Sequence, residues 1–459
     1  MSALTEADPS GTPEVLDTAR CLPSESGRSA VETLRRWGGR LLTFCVGQGM
    51  VQMFNLLAGF LLIRWLSVSD YAVYSLATGF QGTAVVLVEL GLGSSIVALL
   101  AGRTDPKVVG GYIRSARRYR NRFFLVLLPA AAVVFPIMAS RQGMNWLMTV
   151  VLLGAIMTAL YFESWTAYYS IPLIVQQKLA DYYRTPSLVG AGRLALSFIL
   201  YSVSALNGWV AAWTNSIAIV VQGWLYRREA AQYIEEPRLS EPTLDKEIMG
   251  YIRPLVPSVV FFALQGQINI FLISWFGHAQ SVAEVGALGR LGQLFVMLAA
   301  FNSVVIAPNI AQVPRKVLAS RYGLIVAGAL IVSCVFLGVS IVAPQVLLWI
   351  LGEKYSHLRP ELTWIMVAAS LGYINGVMWT MHAARKWIFR WGVWAYIVSV
   401  LAAQAFGVAF MDLSTTGGVV RLSALSAMAT LAVQVAWAFH GFVFHDPVHS
   451  ELQTSTPSA

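Results

Sequence analysis

Long apolar blocks recur along the whole chain, and they constrain the fold more than any other feature of the sequence. Each block is about 20 residues or longer, enough for a helix to cross the roughly 30 Å hydrocarbon core of a bilayer. Because lipid offers no hydrogen-bond partner to a peptide group, each block is expected to be helical. Only 12% of the residues are charged, about half the share in a soluble domain. The sequence therefore predicts an all-α polytopic membrane protein.

The blocks form two sets of about six, separated by a charged, proline-containing stretch. The first set lies at residues 41–66, 71–101, 123–139, 146–175, 187–206 and 209–225. The second set lies at residues 254–276, 282–310, 322–348, 362–382, 391–411 and 419–443. We therefore expect about twelve transmembrane helices in two six-helix bundles around a central cavity, an arrangement that many secondary transporters share.

The ends and the middle of the chain are polar. Residues 1–37 are rich in Ser, Pro and Glu and lack an apolar core, which predicts a disordered cytoplasmic tail and not a cleaved signal peptide. We expect an N-terminal bundle over residues 38–227, a cytoplasmic linker over residues 228–252, a C-terminal bundle over residues 253–443 and a second cytoplasmic tail over residues 444–459.

Lysine and arginine are distributed unevenly between the loops. Loops after even-numbered blocks are rich in them, at residues 103–122, 178–184, 227–246, 315–321 and 385–390, whereas the intervening loops hold few. Since basic residues in short loops mark the cytoplasmic side, we predict cytoplasmic termini and a periplasmic loop at residues 277–281, in a bacterial inner membrane. The net charge of +9 is explained by these loops, so no nucleic-acid partner is expected.

Signatures of catalysis and of metal binding are absent from the sequence. There is no Gly-x-x-x-x-Gly-Lys loop to cradle a phosphate and no His-Glu-x-x-His pair. The three cysteines are far apart, and the six histidines are scattered. We therefore predict no enzyme activity, no catalytic residue, no metal site and no cofactor.

Several short motifs follow one another in a characteristic order. They are LLIRWLSVSDYAVYSL at residues 61–76, VELGLG at 88–93, PLVPS at 254–258, QGQIN at 265–269 and LGEKY at 351–355. In this order they resemble the polysaccharide-export branch, which includes the O-antigen flippases, of the multidrug, oligosaccharidyl-lipid and polysaccharide exporter superfamily. The resemblance covers roughly residues 38–443 and touches both sets of helices.

This resemblance implies a transporter that flips a lipid-linked oligosaccharide repeat unit, of the undecaprenyl-pyrophosphate type, across the inner membrane by alternating access. The implied product is an O-antigen or exopolysaccharide. The implied partners are that substrate and membrane lipids, with a polysaccharide polymerase and a chain-length regulator as further candidates. Two departures point away from the peptidoglycan-precursor flippases: Asn269 stands where an acid is common, and the first helix lacks their buried basic residue.

Two other functions remain open at this point. One is a multidrug-efflux antiporter of the same superfamily, which would need an acidic cavity for cationic drugs. The other is a membrane polysaccharide polymerase or acyltransferase, which would need a large periplasmic loop or a buried histidine in a polar cluster. The sequence favours neither of them.

A charge inside a membrane span costs about 2.5–3.5 kcal/mol and by default indicates function. The candidates are Arg193, Arg290, Glu89 and Glu163, whereas Arg64 and Arg421 lie near helix ends and are interpreted as interfacial. Arginine binds phosphate through a planar fork and stays charged when buried. We therefore predict that Arg290 and Arg193 bind the substrate; in the alternative, they pair with Glu163 or Glu89 as ties between helices. The two acids are candidates for binding a coupling ion or for forming such a tie.

Two further predictions concern the placement of polar side chains. Arg193 and Arg290 each lie about 10 Å deep, counted from opposite membrane faces at about 1.5 Å per residue, which would place them at opposite mouths of the cavity. Gln265 and Asn269 are four residues apart and share one face of a continuous helix. Amides in a membrane either join helices or bind sugar hydroxyls, and both residues are candidate substrate ligands.

Overall fold

The computed structural model describes residues 30–444 except for short gaps at residues 91, 101–104, 177, 236–241, 254–255, 267, 296–297, 299–301, 303–305, 307–309, 311–312, 386 and 388. The helices of the first half are α1 (Ala30–Trp65), α2 (Val68–Glu89), α3 (Leu92–Leu99), α4 (Pro106–Arg141), α5 (Trp146–Val175), α6 (Leu179–Ser202) and α7 (Gly208–Ala230). They are followed by α8 (Pro242–Ile252), α9 (Val256–Gly266), α10 (Ile268–Phe276), α11 (Ala279–Leu291), α12 (Arg315–Val342), α13 (Pro344–Leu351), α14 (Arg359–Ala384), α15 (Arg390–Phe410) and α16 (Thr416–Phe444). None of the described residues lies in a β-strand.

Within the described residues, eight helices are individually long and apolar enough to cross a membrane: α1, α2, α4, α5, α12, α14, α15 and α16. The pair α9 and α10, bent by 52°, adds a ninth if it is one span. Helices α6 and α7, with 24 and 23 residues, are long enough to cross a membrane but are not among the eight. Every predicted block overlaps a described helix, and the prediction of an all-α polytopic membrane protein is confirmed.

Polar residues in the short connections start several helices. Ser67 accepts a hydrogen bond from the Asp70 amide at 3.0 Å at the start of α2. Asn145 accepts one from the Met148 amide at 2.7 Å at the start of α5, and Asn207 caps α7 in the same way. These caps satisfy amides that the first turn of a helix leaves unpaired. They fix the residues at which consecutive helices turn.

Helix α4 is longer than predicted and begins inside the basic stretch assigned to the second loop. It starts at Pro106, a favoured first residue of a helix, and Arg120 is buried within it. The helix α8 packs on its first turns, where Tyr112 donates a hydrogen bond to Glu247 at 2.5 Å. The basic side chains lower the hydropathy of these turns, so the predicted block begins only at residue 123. The prediction of a loop is therefore wrong from residue 106 onward.

The domain boundaries drawn from composition, with bundles over residues 38–227 and 253–443, stay a prediction. The last eleven residues of the predicted linker form α8, so that segment is partly helical. Residues 1–29 of the predicted N-terminal tail and 445–459 of the C-terminal tail lie outside the described residues.

The helices of each half pack mainly against one another. In the first half α5 packs against α7 and α1 against α6; in the second, α14 packs against α16 and α12. The halves meet where α2 packs against α11 and α9, and one continuous apolar core crosses this contact. Gly286 of α11 permits the close approach, because a Cβ atom there would lie 2.5 Å from Ser75 Oγ of α2.

Two arginine–tryptophan contacts join the halves at the end that carries the loops predicted to be periplasmic. Arg64 of α1 lies 4.5 Å from the ring centroid of Trp349 in α13 and donates to the carbonyl of the same residue. Arg141 of α4 lies 4.0 Å from the ring centroid of Trp275 in α10 and donates to its carbonyl at 3.0 Å. Lys354 donates to the Arg64 carbonyl at 3.0 Å. These contacts, termed the arginine–tryptophan clasps, connect the two halves at this end.

Candidate functional site

A cavity of about 270 Å³ lies where the halves meet, and its wall combines two arginines with five carboxamides. The arginines are Arg193 of α6 and Arg290 of α11. The carboxamides are Gln52, Asn55, Gln81, Asn215 and Gln293. In the part of the chain that the structure describes, no Asp or Glu side chain lines this space. It is termed the amide cavity, and its wall is cationic.

A second cavity, of about 290 Å³, adjoins the amide cavity, since Thr78, Arg290 and Gln293 line both. Apart from the amide of Asn269, its remaining lining is small or aliphatic and consists of Ser75, Gly79, Ile270, Val285, Gly286, Gly289, Ile365 and Val420. It is termed the glycine cavity. Arg290 therefore stands between two spaces of different character.

Arg193 is held by two amide side chains from neighbouring helices. Its Nη1 donates to Asn215 Oδ1 of α7 at 2.9 Å, and its Nη2 donates to Asn55 Oδ1 of α1 at 3.1 Å. Asn215 Nδ2 in turn donates to Gln81 Oε1 of α2 at 3.5 Å. The network ties α6 to three other helices of the first half and orients the amides on the cavity wall.

Arg290 has a different environment. It lies in the last turn of α11, where the helix dipole favours a positive charge. Its guanidinium carbon is 5.8 Å from the ring centroid of Tyr74, and Tyr71 interacts with it electrostatically. Among the described residues no carboxylate lies within 4.0 Å of it to form an ion pair. Its charge is therefore not neutralised by a neighbouring acid.

The two arginines line one cavity and do not occupy opposite mouths, so that prediction is wrong. Depths of about 10 Å from opposite faces leave the two backbones only about 10 Å apart across a 30 Å core. Long arginine side chains that extend toward each other cover most of this separation. Backbone depth alone therefore misplaced the two charges.

Gln265 and Asn269 do not share a face of a continuous helix, because α9 ends at Gly266 and α10 is bent by 52° from it. Gln265 Oε1 accepts a hydrogen bond from Gln404 Nε2 of α15 and thus joins two helices. Asn269 instead lines the glycine cavity, and its buried Oδ1 has no hydrogen-bond partner among the described residues. Gly266 directly follows Gln265 and is the last residue of α9. Glycine is unfavourable inside a helix, which explains the break.

Glu89 and Glu163 line a third cavity, of about 270 Å³, that lies within the first half and is termed the acidic cavity. The arginine that interacts electrostatically with both acids is Arg120 of α4. No ion pair joins either acid to Arg193 or Arg290 among the described residues. The alternative pairing considered for those two arginines is therefore wrong.

Sequence reasoning missed Arg120 because it assigned the residue to a cytoplasmic loop. The side chain is 1% exposed, and it donates to the carbonyls of Tyr161, at 3.2 Å, and of Leu160 on α5. A helical signal does precede it, since the buried positions 109, 112, 113 and 116 have the spacing of one helix face. Arg120 continues that face by one turn.

Glu284 of α11 also escaped sequence reasoning, although it lies inside a predicted span. Its Oε2 accepts a hydrogen bond from Thr416 of α16 at 2.5 Å. Its Oε1 accepts one from Gln280 at 2.9 Å and lies 2.9 Å from His357 Nε2. These contacts fix the first turns of α11, two turns before Arg290, against the other helices of the second half.

Solved structures of transporters resemble this architecture. One is the lipid II flippase MurJ in an inward closed conformation, with 11% identity and a TM-score of 0.59 over 91% of this chain and 94% of that chain. Another is a MATE in the bent conformation, with 15% identity and a TM-score of 0.60 over 90% and 95%. A third is a MOP superfamily transporter from Pyrococcus furiosus, described as having a binding pocket of reverse polarity, with 13% identity and a TM-score of 0.52 over 87% and 94%.

Sequence comparison adds no closer relative. No family model matches the chain, and no curated protein matches it. At identities of 11–15% the likeness is one of fold. The structural neighbours are transporters of the multidrug, oligosaccharidyl-lipid and polysaccharide (MOP) exporter superfamily, and this chain has their fold.

Proposed function

We propose that the protein is a membrane transporter of this superfamily that moves an anionic lipid-linked sugar across the bilayer. The observation that carries the proposal is the amide cavity, where Arg290, without a carboxylate partner, faces a wall of amides between the two halves. A lipid-linked sugar carries a pyrophosphate, which a guanidinium binds through two parallel hydrogen bonds. A cationic drug would need an acid, and Glu89 and Glu163 lie in a different cavity.

The finer proposal is an undecaprenyl-pyrophosphate-type repeat unit of an O-antigen or exopolysaccharide. It is supported by the order of the motifs, from residues 61–76 to residues 351–355. Under this proposal the protein lies in the bacterial inner membrane with both termini cytoplasmic. A polysaccharide polymerase and a chain-length regulator would then act on the flipped unit, while membrane lipids surround the helices.

The proposed cycle is alternating access between two six-helix bundles. With the clasped end closed, the headgroup enters the amide cavity from the opposite end of the molecule. It binds between Arg290 on the second half and the amides on the first half. The halves then rock about the contact of α2 with α11, which opens the clasped end. No covalent bond is made or broken, so no residue is assigned a catalytic role.

The sequence candidates receive different roles in this cycle. Arg290 is the proposed anion ligand, and Asn269 is proposed to contact a sugar further from the phosphate, because it lines the glycine cavity that Arg290 also lines. Gln265 is proposed as a helix tie, because Gln404 already occupies its oxygen. Glu89 and Glu163 are proposed as a tie with Arg120.

The test is lipid flipping by the purified protein in vesicles of phosphatidylethanolamine and phosphatidylglycerol. The probe is undecaprenyl diphospho-N-acetylglucosamine with a fluorescent label on its sugar, and membrane-impermeant dithionite reports which leaflet holds the label. Wild-type protein should expose the inner-leaflet label to dithionite, and Arg290→Ala should not. Arg290→Lys should restore flipping in part, because it keeps the charge and loses the fork.

The matched control is Arg421→Ala, since Arg421 is exposed on α16 and lies over the Trp364 ring. This variant should flip the probe at the wild-type rate. Wild-type rates from Arg290→Ala, in protein that is monodisperse and fully inserted, would refute the anion site.

A further inference from the structure

The two arginines of the amide cavity differ in what they leave free for a ligand. Both terminal nitrogens of Arg193 donate to amide oxygens, those of Asn215 and Asn55. Its third nitrogen, Nε, is buried and has no hydrogen-bond partner among the described residues. The side of the guanidinium that carries Nε therefore does not face the cavity. Arg290 lines both the amide and the glycine cavities. Arg193 thus gives two of its five N–H groups to amides of the wall, whereas Arg290 has no hydrogen bond to an amide or carboxylate among the described residues.

Arg193 also determines which way the amides face. A guanidinium can only donate, so the atoms that meet it on Asn55 and Asn215 must be their oxygens. Their NH₂ groups then face away from Arg193, and that of Asn215 donates to Gln81 Oε1. Gln81 thus accepts through Oε1, and its own NH₂ group donates to no partner among the described residues. Arg193 therefore sets the orientation of Asn55 and Asn215 directly and that of Gln81 through Asn215.

We infer that Arg193 is a positioning residue and that the amides it orients form a subsite for the sugar next to the phosphate, which Arg290 holds. This inference rests on the proposed function. Carboxamides both donate and accept hydrogen bonds, as sugar hydroxyls do, whereas an ammonium or guanidinium only donates. A wall without carboxylates also accepts an acidic sugar, since no like charge opposes it.

The subsite divides the headgroup between the two halves. Asn55, Gln81 and Asn215 belong to α1, α2 and α7 of the first half, whereas Arg290 belongs to α11 of the second. The first half would then recognise the sugar next to the phosphate. The second half would bind the phosphate that all such substrates share, and its Asn269 would contact a sugar further from it. Only a molecule that carries both groups engages both halves at once.

Binding of short-chain probes to the purified full-length protein tests the inference by titration calorimetry. The probes are farnesyl diphosphate without a sugar, and farnesyl diphosphate linked to N-acetylglucosamine, glucose or galactose. For wild-type protein we expect one sugar-bearing probe to bind about tenfold more tightly than farnesyl diphosphate, the value of one or two added hydrogen bonds. Arg193→Ala should lose this sugar preference and keep the affinity for farnesyl diphosphate. Arg290→Ala should lose affinity for every probe, by about tenfold or more.

A second comparison separates positioning from folding. Arg193→Lys keeps a donor beside both amide oxygens and should restore part of the sugar preference. Asn215→Ala should lose the preference alone, and adding it to Arg193→Ala should have little further effect, because the two residues act as one unit. Melting temperatures of all variants in detergent identify any that are unfolded.

Each result bears either on the positioning role of Arg193 or on the proposed function. If Arg193→Ala weakens farnesyl diphosphate binding as much as Arg290→Ala does, Arg193 is an anion ligand and the inference is wrong. A wild-type protein that binds all four probes equally would also overturn it, while leaving the anion site intact. A wild-type protein that binds no probe would contradict the proposed function itself.

Discussion

The amide cavity and the acidic cavity have similar volumes, about 270 Å³ each, but the arginine associated with each has different partners. In the acidic cavity region, Arg120 interacts with Glu89 and Glu163 and donates to two backbone carbonyls. In the amide cavity, Arg290 meets aromatic rings and no carboxylate among the described residues. The first site lies within one half of the protein and the second between the halves.

The difference separates a structural charge from a charge that is available to a ligand. Taking an ion out of water is unfavourable by several kcal/mol unless a partner compensates for the lost hydration. Arg120 has its compensation inside the protein, from two backbone carbonyls and from the electrostatic interaction with the two acids. Arg290 is compensated only in part, by the rings and the helix dipole, and an anion completes its environment. The predictions below test this distinction, from the largest expected effect to the smallest.

Removing Arg120 should damage the fold. Arg120→Ala leaves the Leu160 and Tyr161 carbonyls without their donor and removes the cation that interacts electrostatically with the two acids, and each buried polar group left without its partner costs about 1–3 kcal/mol. We expect little monodisperse protein after extraction, as measured by size-exclusion chromatography. Arg118→Ala, which removes an arginine that is 38% exposed and 3.5 Å from Asp245, is the control and should change stability by less than about 1 kcal/mol. A normal yield of Arg120→Ala would show that the acids need no cation.

Neutralising the acids should recover part of that loss. In the Arg120→Ala background, Glu89→Gln together with Glu163→Gln removes the uncompensated charges. We expect about 1–3 kcal/mol of stability to return, seen as a higher melting temperature in detergent than Arg120→Ala alone. The same two substitutions in Arg290→Ala should give no such recovery. If stability also recovered in the Arg290→Ala background, the two acids would interact with both arginines, and the distinction between Arg120 and Arg290 would be wrong.

Two glycine substitutions compare the contact between halves with packing inside one half. A Cβ at Gly286 would lie 2.5 Å from Ser75 Oγ across the halves, whereas a Cβ at Gly223 would lie 2.9 Å from Trp165 Cβ within the first half. Overpacking of this kind costs about 1–3 kcal/mol. Gly286→Ala should mainly change the distance between the halves, measured by spin labels at Ser69 and Ser356. Gly223→Ala should mainly lower the melting temperature, and the reverse pattern would contradict this division.

Removing Arg290 should leave stability almost unchanged. No acid among the described residues loses a partner, and the interactions that are lost are those with Tyr71 and Tyr74. Arg290→Ala should therefore alter the free energy of unfolding by only about 1 kcal/mol. The melting temperature of the protein in detergent, without substrate, is the measurement. A large loss of folded protein would mean that Arg290, like Arg120, is a structural charge.

The sequence predicts the helices and the rare charges well, because both are encoded locally. A block of apolar residues indicates a span wherever it occurs, and Arg290 is conspicuous inside one. The partners of these charges are not local: Arg120 meets Leu160 and Tyr161 across forty residues of chain. Hydropathy also fails where a helix extends beyond the apolar core, which is why the first turns of α4 were predicted as a loop.

The break after Gly266 shows a second limit of sequence reasoning. Gln265 and Asn269 have helical spacing, but the spacing carries no information about whether the helix continues between them. Once α10 turns away, one amide meets Gln404 of α15 and the other meets a cavity. Their different surroundings depend on the packing of three helices, and the pattern of residues four apart could not reveal them.

The arginine–tryptophan clasps place the contacts between the halves at this end on side chains that water can reach. Arg64 donates to the Trp349 carbonyl, its own carbonyl accepts from Lys354, and both hydrogen bonds are exposed. Arg141 and Trp275 repeat the arrangement on another pair of helices, where the hydrogen bond is again exposed. Water can therefore replace each of these hydrogen bonds when the end opens, and a cation–π contact at an exposed site adds only about 0.5–1 kcal/mol. The clasps should therefore make a low barrier, one that thermal motion crosses readily.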